Sequence, residues 1–384
     1  MKPLNAVMTT ALVVTSCFFL GSSLQAQGWA AAGEAGHRLC DLQADISADN
    51  AQNGYIDSDP DDGGWDWKIN YLTTQHSDEP SPTNTYGITG IGLLTYLEEE
   101  KANRTFRFIT AMYDAFLTLE DTPSMDLAPD VVFCVRLSLV DAINDPVYAT
   151  LGRMRYDDRV AAHGSPLNLA QYVMQKRAAL GHDGLIAWEL GWLAEAALAL
   201  DAFFPGEGYY SHAVMYAQSL VDDINDPGGI FQIGDTTERY YTLGLAFTAM
   251  TLWDVGIESG LMSLVYTKLY FMQKSSGAFP WSGQDKRVSH QTTAYAVQAF
   301  HRVKFNPSAK DAMHKGAIWL EADQEDNGGW SYLYNKENTQ VDSEIMTAMA
   351  MVKNWPPSPG WPMQEESHCA PPPIPHENAT MIKF

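Results

Sequence analysis

The chain has 384 residues, of which 46% are hydrophobic, and its formal net charge at neutral pH is −23. This length and hydrophobic fraction are sufficient for one large domain with a sizeable core. The negative charge argues against nucleic acids and anionic membrane surfaces as partners, because a field of that sign repels phosphate groups before contact. After the first 26 residues, no stretch is long and apolar enough to predict a membrane-spanning helix.

The chain begins with the pattern of a secretory signal peptide. An apolar run from Ala6 to Leu20 is followed by polar residues and by Leu24-Gln25-Ala26, which places a small residue where signal peptidase cleaves. We predict cleavage after Ala26 and a secreted or periplasmic mature protein. A lipoprotein box ending at Cys17 is the alternative, which the apolar residues after Cys17 do not favour.

Removal of the signal peptide leaves three cysteines, Cys40, Cys134 and Cys369, without a Cys-x-x-Cys spacing. An odd number without that spacing argues against a disulfide framework. In an oxidising compartment we expect at most one bridge, from Cys40 or Cys134 to Cys369, with the third thiol buried.

The mature chain is predicted to be all helical. Helical periodicity recurs from Tyr86 to Val352, and alternating strand patterns are absent. In chain order, helices are predicted at about 85–99, 104–119, 129–143, 167–180, 185–203, 209–224, 238–253, 258–272, 291–303, 309–320 and 341–352. These elements make close to six helical pairs. We therefore divide the chain into a signal peptide (1–26), a short lead segment (27–44), a helical domain (45–355) and a Pro-rich C-terminal tail (356–384).

A short Gly-rich loop repeats between the predicted helices. Residues 59–67 (DPDDGGWDW) match residues 324–332 (QEDNGGWSY), and weaker copies contain Gly184, Gly229 and Gly277. From Gly184 to the last copy the intervals are 45, 48 and 52 residues, the length of a helical hairpin. A hairpin cannot bury its apolar face alone, so the copies must stack. Because the best copies lie at the two ends, where an open solenoid would carry atypical caps, we predict a closed (α/α)6 toroid of helical hairpins with Gly-Gly-Trp loops.

These loops resemble known repeats. The pattern Gln-x-x-Asp-Gly-Gly-Trp, clearest at Gln324 to Trp330 and at Asp59 to Trp65, resembles the repeat of the terpenoid cyclase and protein prenyltransferase toroids and of the family 10 pectate lyases. As architecture the resemblance covers about residues 54–353, but only the short loops match at residue level. It therefore implies the fold and says little about the chemistry.

The most acidic loop permits three interpretations. Asp57, Asp59 and Asp61 alternate before a Gly-Gly pair, as oxygen ligands do in a calcium loop, although Lys68 stands where an EF-hand has its bidentate acid. A solvated turn that caps a helix is the alternative. The segment from Asp59 to Asp62 also looks like the Asp-x-Asp-Asp acid motif of class II terpene cyclases, in which an aspartic acid protonates an alkene.

Closure of the toroid would bring the loops before the inner helices to one rim, where polar and aromatic groups recur. From this rim we predict catalytic groups among Arg239, Arg287, Asp62, Asp183, His290 and Asp326, and substrate-binding aromatic side chains among Trp65, Trp67, Tyr86, Trp188, Tyr240, Tyr241, Trp281 and Trp330. Helix capping and core packing are the alternative roles for each of them.

The predicted function is that of a carbohydrate-active enzyme on a poly- or oligosaccharide. A polysaccharide lyase needs a base and a cation that stabilises the enolate of a uronate; by the resemblance, Arg239 or Arg287 would serve, with calcium as the one expected cofactor. The Arg-Gly-Trp signature of those lyases is missing, and the negative field opposes a polyuronate. A glycoside hydrolase using two rim carboxyls is the second reading. A non-catalytic glycan-binding protein and a class II cyclase are further alternatives.

Overall fold

The structure is a computed structural model that describes residues 29–43, 65, 69–70, 86–100, 106–121, 127–140, 145–257, 260–333 and 336–352. The helices in these ranges are α1 (29–42), α2 (Tyr86–Glu100), α3 (Phe106–Asp121), α4 (Leu127–Leu139), α5 (Pro146–His163), α6 (Pro166–Ala179), α7 (Gly184–Phe203), α8 (Tyr209–Asn225), α9 (Tyr241–Val255), α10 (Gly260–Met272), α11 (His290–Arg302), α12 (Pro307–Ala322) and α13 (Thr339–Val352). Three short strands, β1 (Ile69–Asn70), β2 (Ser331–Leu333) and β3 (Lys336–Glu337), form an antiparallel sheet in the order β1-β3-β2. The predicted all-α class is confirmed.

Six helices form a closed inner ring. In the order α2, α4, α7, α9, α11 and α13, each helix packs against the next, and α13 packs against α2. Outer helices cover them in pairs: α3 lies on α2, α5 on α4, α8 on α7, α10 on α9 and α12 on α11. Because each outer helix returns the chain to the same end, the inner helices run parallel. This arrangement confirms the predicted (α/α)6 toroid.

The inner helices are buried on most sides because neighbours enclose them. In α9 nearly every residue from Tyr241 to Leu252 is buried, which is typical of a helix without a solvent face. Small residues allow close contact in the ring: a Cβ added at Gly191 of α7 would lie 2.7 Å from Thr251 Oγ1 and 2.8 Å from Phe247 Cδ1 of α9. Among the helices described above, none has the length and apolar character needed to cross a bilayer.

Two helices differ from the predicted plan. Residues 29–42, predicted as a lead segment, form α1; here Gly36 contacts Phe108 of α3 and Met346 of α13, so α1 covers the last inner helix. The toroid therefore begins within the predicted lead. Helix α5 was not predicted because charged residues between Arg153 and Arg159 interrupt its apolar pattern, although Asp145 caps it by accepting a hydrogen bond from Val147 N at 3.0 Å.

The Gly-rich loops hold the ring together from within the core. Trp65 and Trp330 are both 0% exposed, and their indole N–H groups donate to the carbonyls of Leu39 (2.8 Å) and Leu320 (2.7 Å). The Trp330 amide also donates to Asp342 Oδ1 at the start of α13, at 2.9 Å. The repeated Trp residues are thus anchors of the fold.

Contacts between the two ends of the array close the ring. Arg38 of α1 forms a buried, bidentate ion pair with Glu337 of β3, with Arg38 Nη2 2.7 Å from Glu337 Oε2. Gln324 Nε2 donates to the Ala31 carbonyl at 2.9 Å, and β1 pairs with β3. Asp342 is buried beside Glu337, and burial together with that neighbour raises its pKa well above the usual range. Arg38 therefore supplies the positive charge that this carboxyl pair requires.

We expect Arg38→Ala to lower the free energy of unfolding by about 3–5 kcal/mol, because it leaves a buried carboxylate without its partner. Urea unfolding followed by circular dichroism measures this change. Arg107→Ala is the matched control, since the pair Arg107–Asp41 joins the same helix to α3 but is half exposed; its loss should cost about 1 kcal/mol or less. Equal losses in the two variants would contradict the closing role of Arg38.

Candidate functional site

The inner ring surrounds a lumen to which all six helices contribute side chains. Its wall contains Ile88 and Ile91 (α2), Arg136 (α4), Trp192 and Glu195 (α7), Phe247 and Met250 (α9), Tyr295, Gln298 and Arg302 (α11), and Glu344, Thr347 and Met351 (α13). The free volume is about 30 Å³, which is room for about two water molecules. The lumen is therefore enclosed and nearly filled by its own side chains.

One part of the wall is a cluster of aromatic rings. Phe247 lies at its centre, with its ring centroid 4.5 Å from that of Tyr295, 6.1 Å from Trp192 and 6.2 Å from Trp188. All four side chains are at least nine-tenths buried. The faces of such rings carry negative partial charge and attract cations, most strongly where water is excluded.

Glu344 places a carboxyl group beside this aromatic cluster. The residue is 3% exposed, and its Oε1 accepts hydrogen bonds from the Tyr295 hydroxyl (2.5 Å), Gln340 Nε2 (2.8 Å) and Gln291 Nε2 (3.3 Å). These three donors fix the position and orientation of the carboxyl beside the aromatic rings. Burial and the neighbouring Glu344 raise the pKa of Tyr295 well above its usual range, so the phenol stays a donor.

The other end of the lumen carries five charged side chains, four in the last turns of inner helices and one, Glu195, in the middle of the longer helix α7. Arg136 binds Glu98 through two hydrogen bonds (2.7 and 3.0 Å), and Arg302 binds Asp254 (3.0 to 3.3 Å). Glu195 lies near both pairs, and burial raises its pKa while Arg302 and Arg136 oppose that shift. We call this group, Glu98, Arg136, Glu195, Asp254 and Arg302, the charged end.

A smaller cavity of about 10 Å³ lies between α7 and α9. It shares Glu195, Phe247 and Met250 with the wall of the lumen and adds Asp254. Glu195 thus lines both of these cavities.

The predicted catalytic residues that the structure describes lie in the loops before the inner helices or at the starts of those helices, and both Arg239 and Arg287 lie near the carboxyl of Asp285. Arg287 is engaged by Asp285 through two hydrogen bonds of 2.9 and 2.8 Å, and Arg239 lies over the ring of Tyr240 with its guanidinium carbon 5.3 Å from the ring centroid. His290 pairs with Asp323 and stacks on Trp319 of α12, outside the inner ring.

The two described acids of the predicted catalytic set have different surroundings. Asp326 is exposed in the last Gly-rich loop, whereas burial and the nearby carboxylates Asp223 and Asp235 raise the pKa of Asp183. The catalytic roles of these residues stay predictions. Asp62 lies outside the described residues.

The predicted substrate-binding aromatic residues are mostly buried in the core. Exposure is 0% for Trp65 and Trp330, 1% for Tyr241, 3% for Trp281, 5% for Tyr240 and 8% for Trp188. Stacking on a sugar requires an exposed ring face, so these side chains do not form the predicted binding surface, and Trp188 instead faces the aromatic cluster. Trp67 and the predicted calcium ligands Asp57, Asp59 and Asp61 lie outside the described residues, and so does the side chain of Tyr86. Calcium binding stays a prediction.

Sequence reasoning did not include the lumen acids among the predicted site residues. Glu195 was detectable, because it is the one acid inside the apolar run from Leu190 to Leu200. A charge retained within a fully enclosed helix is expensive and therefore marks a site. Glu344 lies in a predicted inner helix, but its position in the wall depends on the rotation of α13, which periodicity does not fix.

Glu238 is a further perturbed acid, located just before α9. Its carboxyl lies near Asp183 and beside the backbone N–H groups of Tyr240 and Gly184, and burial raises its pKa to about 7. The ordinary value, about 4.5, describes the unfolded chain. Because the folded state prefers the protonated acid, the stability that this group contributes is greatest below pH 4.5 and is lost as the pH rises to about 7.

We expect Glu238→Gln to remove the loss of stability that burial of this carboxyl causes as the pH rises to about 7. The melting temperature of the variant should exceed that of the parent protein at pH 8 and approach it at pH 4.5, with a difference of up to about 3 kcal/mol in unfolding free energy. Thermal unfolding at pH 4.5, 6 and 8 measures it. Asp235→Asn is the control of opposite sign, since hydrogen bonds from Thr237 lower the pKa of Asp235. A difference between Glu238→Gln and parent that is independent of pH would contradict the interpretation.

Comparisons with known proteins identify the architecture. No protein-family model and no curated protein sequence match the chain. The structure is similar to that of the type II terpene cyclase MstE from Scytonema in its apo form, with a TM-score of 0.51 at 12% identity over 85% of this chain and 98% of that chain. A variant of that enzyme with its product merosterolic acid A gives 0.51 at 13% identity, over 86% and 98% of the two chains. Another variant, with its substrate geranylgeranyl dihydroxybenzoate, gives 0.51 at 12% identity, over 86% and 97%.

These similarities overturn two predictions. The matched structures are terpene cyclases that bind prenylated aromatic compounds, so the predictions of a polysaccharide lyase or glycoside hydrolase and of a poly- or oligosaccharide partner are wrong. The geometry of the site also argues against a lyase. Arg287, which was predicted to stabilise an enolate, already forms an ion pair with Asp285. At this level of identity the similarity shows the fold, and the chain has the α/α toroid of the terpenoid cyclase type.

Proposed function

We propose that the chain is an isoprenoid cyclase of the type II class, in which an acid in the lumen protonates an alkene. The observation that carries this proposal is the position of the Glu344 carboxyl, buried in the lumen wall beside the aromatic cluster. Protonation of an unactivated alkene requires a strong acid, a site without water and groups that stabilise a carbocation. The lumen combines a hydrogen-bonded carboxyl with four aromatic rings.

In the proposed step, the alkene π electrons form a C–H bond with the Glu344 proton. The adjacent carbon becomes a carbocation, and the carboxylate that remains is stabilised by Tyr295, Gln291 and Gln340. Further double bonds close rings by attacking the cation, whose charge passes along the faces of Phe247 and Trp192. Loss of a proton from the final cation restores the acid, so each turnover is an isomerisation. Asp59 to Asp62, which resemble the acid motif of class II cyclases, are the alternative proton donor.

The filled lumen sets a condition on substrate binding. A volume of about 30 Å³ is far below the several hundred cubic ångström of an ordinary ligand pocket. Met250 and Met351 occupy the wall, and their unbranched side chains change rotamer at low cost. Substrate binding therefore requires these side chains to move away from the axis of the ring.

The small free volume of the lumen also favours a second candidate, a non-catalytic protein that binds an apolar ligand. In such a protein the side chains of the wall would move apart to fit the ligand. Such a carrier needs the aromatic cluster but no proton donor. The two candidates differ in whether the carboxyl of Glu344 is required, and that difference decides the experiment.

The test is incubation of the purified protein with linear isoprenoids, including geranylgeraniol and squalene, with analysis of products by gas chromatography and mass spectrometry. We expect a cyclic isomer that gains one deuterium in heavy water. Glu344→Gln should lower the rate by at least about 10²-fold, since it removes the acid. Glu325→Gln, which neutralises an exposed acid, is the matched control and should leave the rate unchanged.

Two outcomes would contradict the proposal. Cyclisation that persists in Glu344→Gln would transfer the acid role to another residue, and the Asp59 to Asp62 segment would be tested next. Tight binding of an isoprenoid without any isomer would establish the carrier instead.

A further inference from the structure

The charged end of the lumen contains two cations and three acids. Arg136 donates to both oxygens of Glu98 and to Thr95 Oγ1 (2.9 Å), and Arg302 donates to Asp254 and to the Gln298 carbonyl (3.1 Å). Each guanidinium is therefore committed to a carboxylate. Glu195 is the third acid, and its charge has no cation of its own.

Glu195 also differs from the other two acids in its hydrogen bonding. Among the described residues, no side chain or backbone group donates a hydrogen bond to its carboxyl, whereas Glu98 and Asp254 each accept from an arginine. The side chain lies in the walls of both cavities. A ligand that reaches the charged end from either cavity therefore meets an acceptor whose hydrogen-bonding capacity is unused.

The chemistry of this end determines which head group it can hold. A carboxylate or diphosphate would approach three acids and would find both arginines already neutralised, and desolvating an uncompensated anion is costly. A hydroxyl or ammonium group would donate to Glu195 and satisfy it. The aromatic cluster and Glu344 lie further towards the N-terminal ends of the inner helices, where the hydrocarbon chain would extend.

We propose that Glu195 selects isoprenoids whose head group is a hydrogen-bond donor without negative charge, an alcohol or an amine, and rejects acids and diphosphates. The inference rests on the proposed function, because it assumes that an isoprenoid occupies the lumen. The inference also assigns the orientation of the substrate. The head group lies at the charged end, and the reacting alkene lies near Glu344.

The test measures dissociation constants of the full mature protein for geranylgeraniol, geranylgeranylamine, geranylgeranoic acid and geranylgeranyl diphosphate, by quenching of tryptophan fluorescence at pH 7. We expect the alcohol and the amine to bind at least tenfold more tightly than the two anions. Glu195→Gln should remove the advantage of the amine over the alcohol, because the attraction of the carboxylate for a cation is lost.

A second variant reverses the preference. Asp254→Asn releases Arg302 from its carboxylate and should tighten binding of geranylgeranoic acid about tenfold, which is the fold-change of one added charge contact. Glu325→Gln is again the matched control and should change none of the four constants. Should Asp254→Asn fail to fold, as seen by circular dichroism, the isosteric Glu195→Gln still tests the inference.

The outcomes separate the inference from the proposed function. Equal or tighter binding of the acid and the diphosphate by the parent protein would overturn the selectivity while leaving an isoprenoid site in place. An unchanged preference for the amine in Glu195→Gln would also overturn it. If none of the four compounds binds, the proposed function fails, and the inference fails with it.

Discussion

The rest of the structure depends on the contact between α13 and α2, which closes the inner ring. Six parallel helices enclose a lumen only if α13 meets α2, and an open array would expose the apolar sides of both. The N-terminal helix α1 covers the outer side of that junction, and the ion pair between Arg38 and Glu337 fixes it beside the buried Asp342. An interior at low dielectric, with its aromatic rings and buried acids, exists because this junction is closed.

The lumen has two polar ends of different character. Near the middle of α13, Glu344 accepts several hydrogen bonds on one oxygen beside the aromatic cluster. At the charged end, arginines in the last turns of α4 and α11 offset the negative ends of the helix dipoles and bind acids of neighbouring helices. The toroid thus brings together, on separate helices, groups that no local sequence motif contains.

The fold could be predicted from the sequence to a large extent, and the site could not. The Gly-rich loops and the helical period predicted hairpins that stack and close, because spacing and pattern are local properties. Helix α5 was missed since charged residues interrupt its apolar pattern, although Asp145, Pro146 and Gly164 mark its ends. The Trp residues of the loops were expected at a binding surface, yet Trp65 and Trp330 are fully buried. Whether an aromatic residue faces solvent or core depends on the rotation of a helix or loop, which long-range packing determines.

The ion pair that closes the ring has a consequence for how the chain reaches this state. Arg38 and Glu337 are 299 positions apart in the chain, so the junction forms after the last hairpin has been synthesised. Contacts of such long range carry a large loop-closure entropy and fold slowly. Until then, the emerging hairpins have no finished interior. A ring fastened by its two ends therefore completes its enclosed interior only in the last steps of folding.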